Sequence, residues 1–118
     1  VVLAYERSTI EVGMAAGSDI ACTLFDCGTV KAYYTGTNLS FNVNGTIITY
    51  PVSLSAFYDY AFTFDKNDNL MTISIDDVPV VTGGAGFTIT SNTKMFIGSD
   101  NTGSNQINGQ LNSFKVLR

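Results

Sequence analysis

Few side chains in this 118-residue chain are able to do chemistry, and their types narrow what that chemistry is. Histidine is absent, and neither a Ser/Lys nor a Cys/His arrangement is present, so general-base work would rest on carboxylates alone. Cleaving a glycosidic bond takes two carboxylates that flank it. The only glutamates are Glu6 and Glu11, five residues apart, a spacing that does not set a pair on one strand face. Asp76 and Asp77 are the nearest pair, but adjacent strand residues point to opposite faces, so a turn is the better use for them. The inventory points away from catalysis.

Recognition asks for less: amides and carboxylates to meet hydroxyl groups, and an aromatic plane to lie against them. The segment SDNTGSNQIN (99–108) supplies Asp100, Asn101, Asn105 and Gln106. The ring candidates are Tyr33, Tyr34 and Tyr58, in a chain that has no tryptophan. Tyr33 and Tyr34 are adjacent, so in an extended segment one faces the core and the other faces solvent. An exposed tyrosine offers ring area at low entropic cost. For a metal, calcium would want about 6–8 oxygens, and the carboxylates in reach of such a site are Asp65 and Asp68 in one loop and Asp100 in another. None forms an ordered D-x-D-x-D run, so no cofactor is expected, with calcium the ion these residues would suit best.

Cys22 and Cys27 sit in IACTLFDCG. On a continuous strand their parity sends the two sulfurs to opposite faces, roughly 16 Å apart at about 3.3 Å per residue. A bridge needs Cα atoms within about 7 Å, so free thiols are expected, one or both in the core.

The elements that hold these residues are strands. Thr, Val, Ile, Tyr and Phe dominate the periodic segments, and none carries sustained helical periodicity. In YDYAFTFDKNDNLMTISIDDVPV (58–80), Tyr60, Phe62 and Phe64 alternate with Ala61, Thr63 and Asp65, and Met71, Ile73 and Ile75 alternate with Thr72 and Ser74. A four-residue loop pairs Phe64 with Met71, Phe62 with Ile73 and Tyr60 with Ile75. A slip of one residue would bury Thr and Ser instead, so the register is determined. In 38–51, Asn44-Gly45 supplies a two-residue turn of positive φ, pairing Val43 with Thr46, Phe41 with Ile48 and Leu39 with Tyr50; Pro51 ends the pairing or marks an edge. Further strands are expected at 1–8, 9–15, 21–27, 87–90, 94–98 and 110–117, with loops at 32–38, 82–86 and 99–108. Strands at this spacing with polar turns indicate an all-β, antiparallel two-sheet β-sandwich. Asn38-Leu39-Ser40 and Asn44-Gly45-Thr46 match the glycosylation sequon, a chance-prone match in a chain this rich in Asn, Ser and Thr.

The order of these pieces resembles the laminin-G-like, concanavalin A-like lectin/glucanase superfamily, a two-sheet jelly roll. The resemblance rests on YAFTFD (60–65), LMTISIDDV (70–78), KMFIG (94–98) and GQLNSFKVL (109–117), with TLFDCG (23–28) and LSFNV (39–43) upstream. Its departures are Asp76-Asp77 where the family has an Asp-Gly turn, and Tyr58-Asp59 where a Trp-His pair is common. The E-x-D-x-x-E run of the superfamily's glucanases is missing, and so is the His, Asn, Arg and Trp set of its galactose lectins. The resemblance implies a non-enzymatic recognition module whose ligand is a carbohydrate or receptor on a cell surface. Combined with composition, it implies placement on a virion surface or outside the cell, as the host-recognition domain of a phage tail or head fibre, where homotrimers are common. The alternative it leaves open is a structural or protein-binding decoration domain that serves oligomerisation without a glycan.

Composition bounds these readings. Charged residues make up 14% and hydrophobic residues 45%, with a net charge of −4. There is no basic cluster to neutralise phosphates, which disfavours nucleic acid as a partner. No run approaches the roughly 18 apolar residues of a membrane span. The length suits a single domain with one core over 1–118, and the opening VVLAYERS reads as the interior of a strand, as in a domain cut from a longer protein.

Overall fold

The computed structural model describes residues 7–16, 20–65, 67–84, 95–99, 103–104, 106–107 and 109–117. These form ten strands: β1 Arg7–Ala16, β2 Cys22–Asp26, β3 Val30–Tyr34, β4 Asn38–Val43, β5 Thr46–Pro51, β6 Tyr58–Asp65, β7 Leu70–Ile75, β8 Val78–Gly83, β9 Phe96–Ile97 and β10 Gly109–Leu117. One five-stranded sheet has the order β10-β1-β6-β7-β8, the other β5-β4-β3-β2-β9. Neighbouring strands run antiparallel, and no helix occurs among the described residues. The architecture is the expected two-sheet sandwich.

Both hairpin registers agree with the pairing deduced from alternation. Phe64 faces Met71, Phe62 faces Ile73 and Tyr60 faces Ile75. Val43 faces Thr46, Phe41 faces Ile48 and Leu39 faces Tyr50. Asn44 and Gly45 take φ of 49° and 94°, which suits the two-residue connection. These inward rows meet between the sheets. Phe62 of the first sheet lies 5.5 Å, ring to ring, from Phe25 and 5.4 Å from Phe41 of the second, separations at which aromatic pairs attract beyond the area they bury.

Elsewhere the strands depart from the expected bounds. Segments expected as 1–8 and 9–15 share a single strand where described, because β1 runs without a break from Arg7 to Ala16. The segment expected as loop 32–38 is strand up to Tyr34, and β8 takes Thr82 and Gly83 from the expected loop 82–86. Val78–Gly83 mixes Pro and Gly with valines and offers no clean alternation, yet it pairs with β7 through a bulge between Ile73 and Ser74. Proline and a bulge are tolerated because β8 is an edge strand. The expected strand 87–90 lies outside the described residues.

The cysteines correct one expectation. The β2–β3 register passes from Thr23↔Tyr33 to Phe25↔Ala32, leaving Leu24 as an extra residue. A bulge of one residue reverses parity along a strand, so Cys22 and Cys27 both turn inward rather than to opposite faces. Both are free and buried. The Cys27 thiol donates to Val30 O at 3.0 Å, and burial pushes its pKa up to about 11, with Cys22 raised for the same reason.

Candidate functional site

The strand registers lay two rows of side chains across the outward face of the second sheet. Thr23, Tyr33, Ser40 and Thr49 form one row over β2–β3–β4–β5. Phe96, Asp26, Lys31, Asn42 and Ile47 form the next, over all five strands. Directly opposed residues share a face, so alternation in β3 sends Lys31 and Tyr33 outward while Val30, Ala32 and Tyr34 enter the core. The bulge at Leu24 keeps Thr23 and Asp26 outward on β2 although they are three residues apart.

A groove of about 460 Å³ runs along this hairpin, lined by Ala21, Cys22, Thr23, Asp26, Lys31, Tyr33, Tyr34 and Thr35. Its volume falls within the ~300–1,000 Å³ of small-ligand sites. Asp26 is only 5% exposed, and one of its oxygens, Oδ1, accepts a 2.8 Å hydrogen bond from the Gly28 amide in the following turn. Lys31 is its cross-strand partner, so a carboxylate-bearing and an ammonium-bearing residue occupy one rung. Tyr33 stands on the next outward rung beside Thr23. The arrangement sets acceptors, donors and an aromatic ring along one trough, with no nucleophile–base pair among the described residues.

Those residues expected at a site from sequence that the structure describes are scattered by the fold. Tyr33 lines the groove, half-buried. Tyr34 is 2% exposed and its hydroxyl donates to Val52 O at 2.8 Å; it touches the groove but leaves no ring face for a ligand. Tyr58 lies on β6 of the other sheet, half-buried against the core, its ring 6.2 Å from that of Tyr60. Gln106 is exposed, and its Nε2 donates to Gly103 O at 3.0 Å. Asp100, Asn101 and Asn105 lie outside the described residues. Of the carboxylates weighed for calcium, Asp65 accepts the Asn67 and Asp68 amides at 3.0 and 3.2 Å, a local turn bond that organises the loop. Among the described residues no three His, Cys, Asp or Glu side chains gather as a metal cluster.

Asp26, Lys31 and Thr23, with Ala21 and Thr35, are the groove residues that the sequence did not single out. The alternation VKAYY carried a signal for Lys31 and Tyr33, obscured by reading 32–38 as a loop. Asp26 carried none, since its outward direction depends on the bulge.

The first sheet has an outward pocket of its own, about 320 Å³, with Glu11, Gly13, Asp59, Asp77, Ser113 and Lys115 among its lining. Glu11 and Asp59 are diagonal neighbours on adjacent strands, through Glu11↔Ala61 and Gly13↔Asp59, and Lys115 stands opposite Glu11. Tyr60 in its lining is buried with its ring in the core, and exposed Phe57 stands beside Gly13 at its margin. The second sheet's groove has the more apolar lining and is the better match to a ligand with both hydroxyl and apolar faces.

No protein-family model matches the chain, and no curated protein sequence does. Solved structures share the fold, and two of them show how far the likeness runs. One is a candidate carbohydrate binding protein from Bacteroides ovatus ATCC 8483, with a TM-score of 0.77 over 95% of this chain and 37% of that one, at 14% identity. The other is a native heptameric SAP-like pentraxin from Limulus polyphemus, with a TM-score of 0.72 over 94% of this chain and 63% of that one, at 18% identity. The fold is a jelly-roll β-sandwich. At such identities the likeness is one of fold, and function has to be argued from the site. The chain spans less than two thirds of the length of either structure.

Proposed function

We propose that this chain is a non-catalytic carbohydrate-recognition module of laminin-G-like or concanavalin A-like type, with its sugar site in the groove on the outward face of β2 and β3. The observation that carries the reading is the placement of Tyr33 one outward rung from the Asp26–Lys31 pair. A pyranose has an apolar C–H face and a rim of hydroxyls. The ring offers that face a plane, while the carboxylate accepts and the ammonium donates to neighbouring hydroxyls. The similarity to a Bacteroides ovatus candidate carbohydrate binding protein supports the reading at the level of the fold.

A glycan array probed with the chain, followed by titration of any sugar retained, tests the proposal. Tyr33→Ala is expected to weaken binding about tenfold, as loss of an aromatic contact worth roughly 1–1.5 kcal/mol implies. Unchanged affinity in that variant would remove the groove from the site.

A second reading, a protein-binding or oligomerisation domain, draws on the exposed apolar residues Ile97, Leu111, Val116 and Leu117 of β9, β10 and their margin. Failure to retain any glycan, together with sedimentation as a stable oligomer, would favour that reading over the first.

A further inference from the structure

The turn between β4 and β5 is an Asn-Gly pair, Asn44-Gly45. Asparagine is a thermolabile residue, and before glycine its loss follows a simple route. The glycine backbone nitrogen, once its proton has passed to hydroxide, attacks the side-chain carbonyl carbon of the asparagine. A C–N bond forms there, the bond to the side-chain nitrogen breaks, and ammonia leaves a five-membered succinimide ring. Water then opens the ring at either carbonyl. One opening yields aspartate; the other yields isoaspartate, whose main chain runs through Cγ and is longer by a methylene. Glycine permits the attack because it has no side chain to crowd the nitrogen.

Packing does not prevent this reaction at Asn44. Asn44 and Gly45 are both exposed, and a Cβ on Gly45 would meet nothing within 4 Å. What opposes it is hydrogen bonding and backbone geometry. The Gly45 amide, the nucleophile, donates to Asn42 Oδ1 at 2.8 Å, which holds the proton that must leave. The Asn44 amide donates to Thr29 O at 2.6 Å, so the tip is also fixed to the turn between β2 and β3. The φ values of 49° and 94° fit a type I′ turn. Such a turn sets ψ of its first central residue to about +30°, which aims the Gly45 nitrogen away from the Asn44 Cβ. Ring closure needs both on one side, so the turn has to open first.

We propose that Asn44 is a deamidation site held shut by the fold, with the Asn42 side chain as its latch. The product does not return to the starting turn. Isoaspartate makes the connection from Val43 to Thr46, partners in the ladder, too long for a two-residue hairpin, so the tip loosens once the reaction has occurred.

Peptide mapping by mass spectrometry, after incubation at mildly alkaline pH, tests this. The wild-type chain unfolded in guanidinium chloride should deamidate at Asn44 at least about tenfold faster than the folded chain, because the folded site reacts only after local opening. Asn42→Ala should speed the folded reaction about fivefold, the factor carried by one hydrogen bond. Asn42→Asp keeps an acceptor for the Gly45 amide and should stay within about twofold of the wild type. A urea titration of each variant gives its unfolded fraction. That fraction times the unfolded rate is the share due to global unfolding, and it is subtracted before rates are compared. Equal rates in folded and unfolded wild type would overturn the protection by the fold. A rate in Asn42→Ala equal to wild type, or one in Asn42→Asp as fast as in Asn42→Ala, would overturn the latch.

Discussion

Asp26 and Cys27 are consecutive residues with opposite fates, and both depend on their neighbours across the sheet. Asp26 turns outward opposite Lys31; Cys27 turns inward and donates a hydrogen bond from its thiol to Val30 O. For Cys27 the consequence is measurable. Its pKa moves from 9.0 to about 11, chiefly because burial disfavours the thiolate. The folded state therefore holds this proton at pH values where the unfolded chain has released it. The stabilisation is complete below pH 9 and is lost as pH rises through about 11. Urea midpoints measured from pH 8 to 11 should fall across that window, and Cys27→Ala should flatten the fall. Buried Tyr60 is raised from 10.0 by a larger step, so its contribution starts to fall above pH 10, adds to the slope at the top of that window and continues to fall beyond it. An unchanged slope in Cys27→Ala would show that the thiol is accessible in the native state. Parity alone predicted that these sulfurs would diverge; one extra residue in β2 brought both inside.

At the scale of elements, turns and bulges decide which side chains meet. Asp76 and Asp77 connect β7 to β8 with φ of 49° and 66°, the left-handed region that L-residues other than Gly, Asn and Asp rarely adopt. The turn expected at this pair is there, and Asp76 helps to build it: its Oδ1 accepts the Asp59 amide at 2.9 Å, while its own amide donates to Asp59 O at 2.8 Å. Asp77 has no such bond across strands among those the structure displays. Asp77→Gly should therefore relieve strain and raise stability by about 1 kcal/mol, read as a higher urea midpoint at unchanged slope. A lower midpoint would mean that the Asp77 carboxylate stabilises the turn more than its backbone strains it. The two hairpins with clean alternation, β4–β5 and β6–β7, were legible down to individual pairs because one buried face penalises any slip. The strands β3 and β8 were not. The first was hidden by the turn-like letters TGTN that follow it. The second is an edge strand whose half-exposed faces leave no period to read.

Across the whole molecule, the aromatic rings between the sheets hold the groove's hairpin in place. Phe62 is fully buried and touches Phe25 and Phe41, so one side chain of β6 ties down β2 and β4 on either side of β3. Phe62→Ala should cost about 3–5 kcal/mol in a urea titration, a large share of the roughly 5–15 kcal/mol that a domain possesses. A loss below 1 kcal/mol would mean that the sheets pack independently of it. Among the expected site residues that the structure describes, only Tyr33 retained an accessible place in the groove; Tyr34 was drawn into the core, and Tyr58 belongs to the opposite sheet. By itself the sequence determined the strands with a clear period, their two hairpin registers and the sandwich they imply, because burying alternate residues is a local constraint written into neighbouring letters. The tertiary structure decided which carboxylate, ammonium and ring share a face. That depends on a bulge, on pairing between strands and on the packing of one sheet against the other, none of which is local in the chain.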